Sequence, residues 1–484
     1  MIPTSSQQQQ QLTHDMLAQC LNINTTDNTL KSNEALFTKY KLLPSFAPLL
    51  LEICVNQSNT YSPEIALNAA IQLKNFIWTN WKFTNDHAHN KTLVFNEEEE
   101  QIIIITPQDK AYIRNNILDA IIYAVDTENA KIVKQLNQCT KRILRYDYET
   151  IWKEAYVNKL LSCFNSNNNQ KLIYAGIVLL HQVSKLFEFE TEDKHKVYNE
   201  VLMLLNDKLL NILLQCNDIN LPVQAQFTYK IIKIFFKSFQ GCITPIYRND
   251  AVFEQWSSYI IKVIQTPLSV DNAKTNNKSI FWKLKHLCYQ LIARIHQKYS
   301  VTKNISKSKA KANVNADTNV NETTMFGMQI ATKYSPIYFS IIKTIYINED
   351  SNAFYVDDTC MMFIYNYLSN LINKKQLCEE IISIFLETDK TKEHLIRDAC
   401  MTKEDLALWE SDPKTYISMQ IEEESNRFSK RQAAASLIES IISYRDVTSP
   451  QKKKGPPKYY SFFMKYLLNV IELVAVEKHH PKLY

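Results

Sequence analysis

The sequence predicts an all-α protein, a right-handed solenoid (superhelix) of antiparallel helix pairs. Only 4 of its 484 residues are glycine, whereas 45% are hydrophobic; an average protein contains about 7% glycine. Scarce glycine disfavours tight hairpins, and apolar residues recur at the three- and four-residue spacing of helices. The chain also exceeds the roughly 250–300 residues at which a single core stops growing. A repeated stack of helices satisfies all three observations.

Apolar spacing and start signals place the individual helices. Ser62-Pro63 and Thr106-Pro107 each put a capping hydroxyl before a proline that fits the first turn. With glycine scarce, Asn165 is expected to end a helix in the left-handed conformation. In pairs, the helices recur at about 40 to 47 residues, the period of HEAT and armadillo repeats. The predicted helices are 13–24, 44–57, 62–81, 108–125, 128–145, 149–164, 170–188, 195–215, 222–239, 250–265 and 279–299.

Breaks in this pattern divide the chain. Residues 1–12 are a polar tail predicted to be disordered, and helical repeats are expected over 13–165, 166–299 and 325–484. An inserted loop, 85–105, carries the acidic run Glu97 to Glu100 and is either a solvated loop or a contact for a partner. Residues 300–324 are expected to be a disordered linker or inserted loop; its lysines could touch RNA or an acidic partner. A basic loop is expected at 446–458.

Residue spacing argues against an enzyme. The four glycines lie too far apart for the common phosphate-binding loops or for a nucleophile elbow. The ten cysteines include no C-x-x-C pair, so we expect buried, reduced thiols and a cytosolic or nuclear compartment. His87 and His89 have a metal-like spacing, but no further ligand lies nearby in the sequence. We predict no catalysis, no cofactor and no metal.

Membrane insertion and nucleic-acid binding are not expected either. The first residues lack the basic and apolar regions of a signal peptide. The most apolar stretch, 459–476, carries Lys465, Asn469 and Glu472 on one stripe, which is typical of a nearly buried helix in a soluble protein. A net charge of +5 is small for this length, so no nucleic-acid groove is required.

The end of the 62–81 helix resembles a known family. Leu73, Lys74 and Asn75 are followed by Trp81, a pattern similar to the signature helix in the amino-terminal domain of the importin-beta superfamily. A second match, KQLNQCTKRILRYDYETIW, includes Asp147, Tyr148 and Trp152 and has Glu149 where the family usually has proline. The third is the helix at 281–299 with Trp282, Lys283 and Lys285, and it resembles the importin seven and eight branch.

The segment LWESDPKTYI, with Asp412, Pro413 and Tyr416, is similar to another element of the family, with Ser418 where arginine is common. The matches follow one another in the family's order. Family members are roughly twice as long, so the resemblance implies an amino-terminal half; residues 13–165 would then be the Ran-binding region.

By resemblance, the protein binds the small GTPase Ran in its GTP form with its first repeats, holds protein cargo along the superhelix, and contacts FG-repeat proteins of the nuclear pore. It would shuttle between cytoplasm and nucleus. The alternatives are an export receptor of the CAS type and a HEAT-repeat scaffold unrelated to transport.

Helical spacing separates residues that pack from residues that could bind Ran. The 62–81 helix is expected in the outer layer, so Lys74, Asn75 and Trp81 are assigned to packing. In the 108–125 helix, Ile113, Ile117 and Ile121 form the core stripe. The residues predicted to bind Ran lie on the exposed side of the 108–125 helix or at the end of the 44–57 helix: Arg114, Asn115, Asp119 and Gln57.

Overall fold

The computed structural model describes residues 12–22, 27–58, 60–83, 103–166, 169–299, 315–347, 356–386, 389–400, 403–426 and 429–444, and scattered positions between 457 and 468. Several sequence predictions therefore lie outside the described residues. They are the tail up to residue 11, His87 and His89, most of the 85–105 insertion, residues 300–314, nearly all of the 446–458 loop and most of the 459–476 helix.

The chain clusters into two compact units, Met1–Leu213 with Lys233–Phe253 and Leu214–Ile232 with Glu254–Tyr484. The helices up to the first boundary are α1 (His14–Leu21), α2 (Asp27–Tyr40), α3 (Phe46–Val55), α4 (Pro63–Asn80), α5 (Pro107–Asp126), α6 (Ala130–Asp147), α7 (Lys153–Phe164), α8 (Gln170–Phe187) and α9 (Glu192–Gln215). A π-helical turn, Tyr148–Trp152, joins α6 to α7, and a 3₁₀ turn spans Pro245–Arg248.

The remaining helices are α10 (Pro222–Lys237), α11 (Asp250–Gln265), α12 (Val270–Ala273), α13 (Ile280–Tyr299), α14 (Asn315–Ile347), α15 (Asp358–Asn373), α16 (Cys378–Leu386), α17 (Asp389–Ala399), α18 (Lys403–Ser411), α19 (Pro413–Asn426) and α20 (Lys430–Ser443). None of the described helices has the length and unbroken apolar character that crossing a lipid bilayer requires.

Two layers of helices make up most of the first unit. In one layer α3 lies beside α5, and ion pairs continue it to α7 and α9: Lys159 pairs with Asp119, and Lys153 Nζ lies 2.6 Å from Glu200 Oε2. In the other layer α4, α6 and α8 lie side by side. We call these the α3–α5–α7–α9 layer and the α4–α6–α8 layer. The helices predicted at 62–81 and 108–125 fall in different layers, as expected.

Small residues let the layers approach each other. Ala66, Ala69 and Ala70 on α4 are at most 3% exposed, and α3 and α6 pack against this helix. Closely packed helices with alanine at the contact are typical of repeat stacks. In the second unit, α15 packs against α13 and α20, and α20 also contacts α17. The prediction of an all-α fold of HEAT-type helix pairs is confirmed, whereas the right-handed superhelix stays a prediction.

The structure corrects several sequence predictions. Helix α2 was missed because Asp27–Tyr40 is mostly polar and shows only a weak apolar stripe. The linker predicted over 300–324 is helical from Asn315 onward, since α14 begins there. Asn165 ends α7 with φ of −89° and is therefore right-handed. Helix α3 ends at Val55, two residues earlier than predicted.

Helix carboxyl ends are closed without glycine. Among the described residues every glycine has a negative φ, whereas Glu128 (φ 58°) and Lys375 (φ 59°) are left-handed. Glu128 follows α5 and Lys375 follows α15, and the chain makes the paired hydrogen bonds of a Schellman motif after both helices. At α15, Gln376 N donates to Leu371 O at 2.9 Å and Lys375 N donates to Ile372 O at 2.9 Å. Glu128 and Lys375 therefore adopt a left-handed backbone conformation that is strained for residues other than glycine.

Lysine ammonium groups from later helices satisfy further carbonyls at helix ends. Lys110 on α5 donates to the carbonyls of Trp81 (2.8 Å) and Phe83 (2.9 Å), just beyond α4. Lys171 on α8 donates to Asp126 O at 2.7 Å, at the end of α5. Each ammonium also lies at the negative end of a helix dipole. These hydrogen bonds hold the carboxyl end of one helix against a later helix.

The second unit uses the same arrangement. Lys285 on α13 is fully buried and donates to Val263 O (2.7 Å), Ile264 O (2.9 Å) and Thr266 O at the end of α11. Lys374, which follows α15, donates to Gln297 O at 2.8 Å and to His296 O at 3.1 Å in the last turn of α13. Burial lowers the pKa of each lysine to about 8.

Replacing Lys285 with methionine should lower the free energy of unfolding by about 2–4 kcal/mol, because three buried carbonyls lose a charged donor. Lys283→Met is the matched control, since Lys283 lies on the same helix with an exposed side chain and should change stability by less than about 0.5 kcal/mol. Urea denaturation measures both. Equal effects of the two substitutions would contradict the capping role.

Stability should also fall with acid because of His296. Its ring is fully buried, Nε2 lies 2.9 Å from Gln376 Oε1, and burial lowers its pKa from 6.5 to about 4. Since the unfolded chain binds the proton more readily, the stability present above pH 6.5 is lost as the pH falls towards 4. Between pH 7 and pH 5 the wild type should lose about 1–2 kcal/mol more than His296→Asn. Urea denaturation at both pH values tests this, and equal losses would contradict it.

Candidate partner-binding surface

The α3–α5–α7–α9 layer carries the residues predicted to bind Ran. Asn115 and Asp119 on α5 are exposed, and Gln57 is exposed just beyond the end of α3. Asp119 is not free, because its carboxylate pairs with Lys159 on α7. The exposed polar side chains of α5 therefore lie on one face with those of its neighbours in the layer.

Tyr112 adds a second cross-helix contact on this face. Its hydroxyl donates to the carboxylate of Glu52 on α3, and His14 Nε2 lies 2.5 Å from the other oxygen of that carboxylate. Burial, followed by the contact with Glu52, raises the pKa of Tyr112 to about 12. The hydroxyl therefore keeps its proton at neutral pH and acts as a hydrogen-bond donor.

An apolar depression extends the surface towards α9. It has a volume of about 440 Å³ and lies between the π-helical turn, α7 and α9. Ile151 is 63% exposed and Leu204 is 54% exposed, and both line it together with Val157. Charged residues border it, with Lys153 and Glu200 paired at 2.6 Å. Exposed apolar side chains inside a polar rim are typical of protein-binding surfaces.

Arg114 does not belong to the exposed part of this surface, which corrects the sequence prediction. Its guanidinium lies 2.8 Å from Asp147 Oδ2 at the end of α6, and its side chain is only 17% exposed. The same carboxylate oxygen accepts a hydrogen bond of 3.1 Å from Nε1 of the buried Trp81. Trp81, Arg114 and Asp147 thus form one node that joins the ends of α4 and α6 to α5.

The signature residues divide into two groups. Leu73 and Trp81 are buried, as expected for packing. Asn75 is exposed and Lys74 is half-buried, and both line a groove beside α4, which differs from the packing role predicted for them. Their positions on the helix turn them away from the core stripe that Leu73 and Ile77 form.

The other matched segments have structural roles. Trp152 is 2% exposed and packs edge-on against Tyr156. Trp282 donates from Nε1 to Ala273 O at 3.2 Å, next to the buried Lys285. Asp412 caps α19, which Pro413 begins, by accepting the Thr415 N–H at 3.1 Å. The ring of Tyr416 packs edge-on against Trp409 at 5.5 Å.

One cluster of side chains was not predicted from the sequence, because its members lie far apart in the chain. His286 Nε2 is 2.8 Å from Asp357 Oδ2, and the ligand atoms of His286, Asp357 and Cys360 all lie within 4.8 Å of one another. Asp357 Oδ1 caps α15 by accepting the Cys360 N–H at 2.9 Å. Helix capping and the contact with histidine account for this geometry.

The sequence of this chain is similar to those of known proteins. The family model described as the importin-beta N-terminal domain matches residues 32–123. An importin beta-like SAD2 homolog of Arabidopsis thaliana is 23% identical over 85% of this chain and 36% of its own length. Importin-8 of Mus musculus is 22% identical over 85% of this chain and 38% of its own length. The chain therefore resembles members of the importin-beta superfamily.

The matched range contains most of α2 to α5, and with them Trp81 and Arg114 of the node. A probable importin-7 homolog of Dictyostelium discoideum is also 22% identical, over 86% of this chain and 36% of its own length. The names of these relatives agree with the predicted resemblance to the importin seven and eight branch. The chain spans less than two fifths of the length of the relatives described here.

Removing the carboxylate of the node should destabilise the first unit. Asp147→Ala leaves Arg114 and the Trp81 Nε1–H without their acceptor and should lower the free energy of unfolding by about 2–4 kcal/mol. Asp119→Ala is the matched control, since it also breaks an ion pair on α5, but one in which the aspartate side chain is 60% exposed; it should cost less than about 1 kcal/mol. Denaturant unfolding measures both, and equal losses would show that the node is not a stabilising contact.

Proposed function

We propose that this chain is the amino-terminal part of a Ran-GTP-dependent nuclear import receptor. Its first repeats would bind the GTP form of Ran, its further repeats would bind protein cargo, and FG-repeat proteins would carry it through nuclear pores between cytoplasm and nucleus. The match to the importin-beta N-terminal domain and the importin names of the relatives support this proposal. A stack of helix pairs is suited to such a role because it offers long surfaces to protein partners.

The α3–α5–α7–α9 face is the observation that supports a Ran site in the first repeats. Asn115 and Asp119 are exposed on it, and the apolar depression around Ile151 and Leu204 continues it. Arg114 has a different part in this proposal. Because it is held by Asp147, it would position α5 rather than contact Ran.

Cargo and Ran would oppose each other. If Ran-GTP weakens cargo binding by some factor, cargo must weaken Ran-GTP binding by the same factor. Cargo would then be released where Ran carries GTP, as an import receptor requires. The mildly positive net charge of +5 leaves the chemistry of the cargo open.

The direct test is binding of the purified chain to immobilised Ran loaded with GTP or with GDP. We expect binding to the GTP form only, and a loss of about 5- to 30-fold in affinity for Asn115→Ala with Asp119→Ala. The matched control changes an exposed carboxylate and an exposed amide of the α4–α6–α8 layer, Glu64→Ala with Gln170→Ala, and should leave affinity within about twofold. Equal binding of the two Ran forms, or none, would leave only a HEAT-repeat scaffold.

The direction of transport needs a second measurement. Ran-GTP should displace bound cargo from an import receptor, whereas it should strengthen cargo binding by an export receptor of the CAS type. Adding Ran-GTP to a preformed complex of this chain with a captured cargo protein separates the two. Release supports import, and retention with higher affinity would replace it with export.

A further inference from the structure

A second surface of the first unit has a chemistry that the α3–α5–α7–α9 face does not share. Beside α4, between α2 and α6, lies a cavity of about 880 Å³, which we call the α2–α4–α6 groove. The amino-terminal end of α2, residues 27–30, is described only by its backbone. The described side chains that line the groove belong to the end of α2 and the residues just after it, to α4 and α6, and to Ile103.

The described residues that line the groove include three cations and no carboxylate. Lys41, Lys74 and Lys134 reach it from the end of α2, from α4 and from α6, and none of the described lining residues is acidic. Among the described residues none of these three lysines has an ion-pair partner; Lys41 Nζ lies 5.5 Å from the centre of the Phe37 ring. Three uncompensated ammonium groups around one cavity attract an anionic ligand.

The positive charge continues along α6. Lys131, Lys134, Lys141 and Arg145 are exposed and follow one another at spacings of three, seven and four residues, which places them on one side of the helix. The single acidic residue of α6 is Asp147, and Arg114 and Trp81 already occupy its Oδ2. Since the whole chain carries only +5, this surface is locally much more basic than the average.

Carboxamides and an aromatic ring complete the groove. Gln72, Asn75, Gln135 and Gln138 line it, and each offers both a donor and an acceptor, as the main chain of an extended peptide requires. Trp78 is 45% exposed at the groove, and the guanidinium of Arg142 lies 5.2 Å from its ring centre. The indole therefore offers an apolar contact held in place by a cation.

We propose that the α2–α4–α6 groove binds an acidic peptide segment of a partner protein in extended conformation. The lysines would pair with glutamate and aspartate side chains, the carboxamides with the peptide main chain, and Trp78 with one apolar side chain. A single-stranded nucleic acid fits less well, because it stacks successive bases on several aromatic rings, whereas the described lining residues supply one exposed ring. The half-buried Lys74 and the exposed Asn75 of the signature helix thereby gain a binding role.

Fluorescence anisotropy of the full chain with a labelled twelve-residue peptide, rich in Glu and Asp and containing one leucine, tests the proposal. We expect saturable binding that weakens between 50 and 200 mM salt, because screening weakens exposed ion pairs. The triple variant Lys41→Gln, Lys74→Gln, Lys134→Gln should lose about tenfold or more in affinity. Its matched control is Lys262→Gln, Lys274→Gln, Lys278→Gln, three exposed lysines of the second unit, which should stay within about twofold.

Three other outcomes would overturn the proposal, given that circular dichroism shows both triple variants folded. Equal loss in the two variants would mean that the peptide responds to net charge alone. A labelled oligo-uridine that binds more tightly than the peptide, and is lost in the groove variant only, would assign the groove to nucleic acid. Tighter binding of the peptide after Glu97 to Glu100 are changed to glutamine would assign it to the chain's own acidic run.

Discussion

Donation from a lysine ammonium to the carbonyls at the end of an earlier helix is the interaction on which the stack depends most. A helix ends with carbonyls that no residue of its own can satisfy, and about a third to a half of helices end with a left-handed residue, usually glycine. This chain has 4 glycines in 484 residues. Lys110, Lys171, Lys285 and Lys374 instead bring donors from later helices, so that the contact which closes one helix also fixes the position of another.

The Trp81–Arg114–Asp147 node extends the same principle to the region that matches the importin-beta N-terminal domain. One carboxylate oxygen receives both the indole N–H and the guanidinium, which joins the ends of α4 and α6 to α5. With Arg114 occupied in this way, Asn115 and Asp119 of α5 are exposed on a helix whose position is fixed. The two layers then present different chemistry: a mixed polar and apolar face, which we propose binds a folded partner, and a basic groove, which we propose binds an acidic peptide.

Apolar spacing predicted the existence and type of the helices well, because burial of one face is a local property of the sequence. Ser62, Thr106 and Asp412 cap their helices as expected, since a cap is also local. Spacing places a residue on a face but does not reveal the partner of a long side chain. The prediction that Arg114 is exposed was therefore wrong, because its partner Asp147 lies 33 positions away on another helix. The burial of Lys285 and the contact of His286 with Asp357 were not predicted for the same reason.

The most direct test of the lysine contacts is an NMR titration of the full chain labelled with ¹³C at lysine Cε. If Lys285 and Lys374 bury their ammonium groups against helix carbonyls, these two signals should titrate near pH 8, apart from the exposed lysines near about 10.4. Single Lys→Met variants would assign the two signals. Titration of every lysine signal near the ordinary value would show that both side chains are solvated, and would contradict the account given for the ends of α11 and α13.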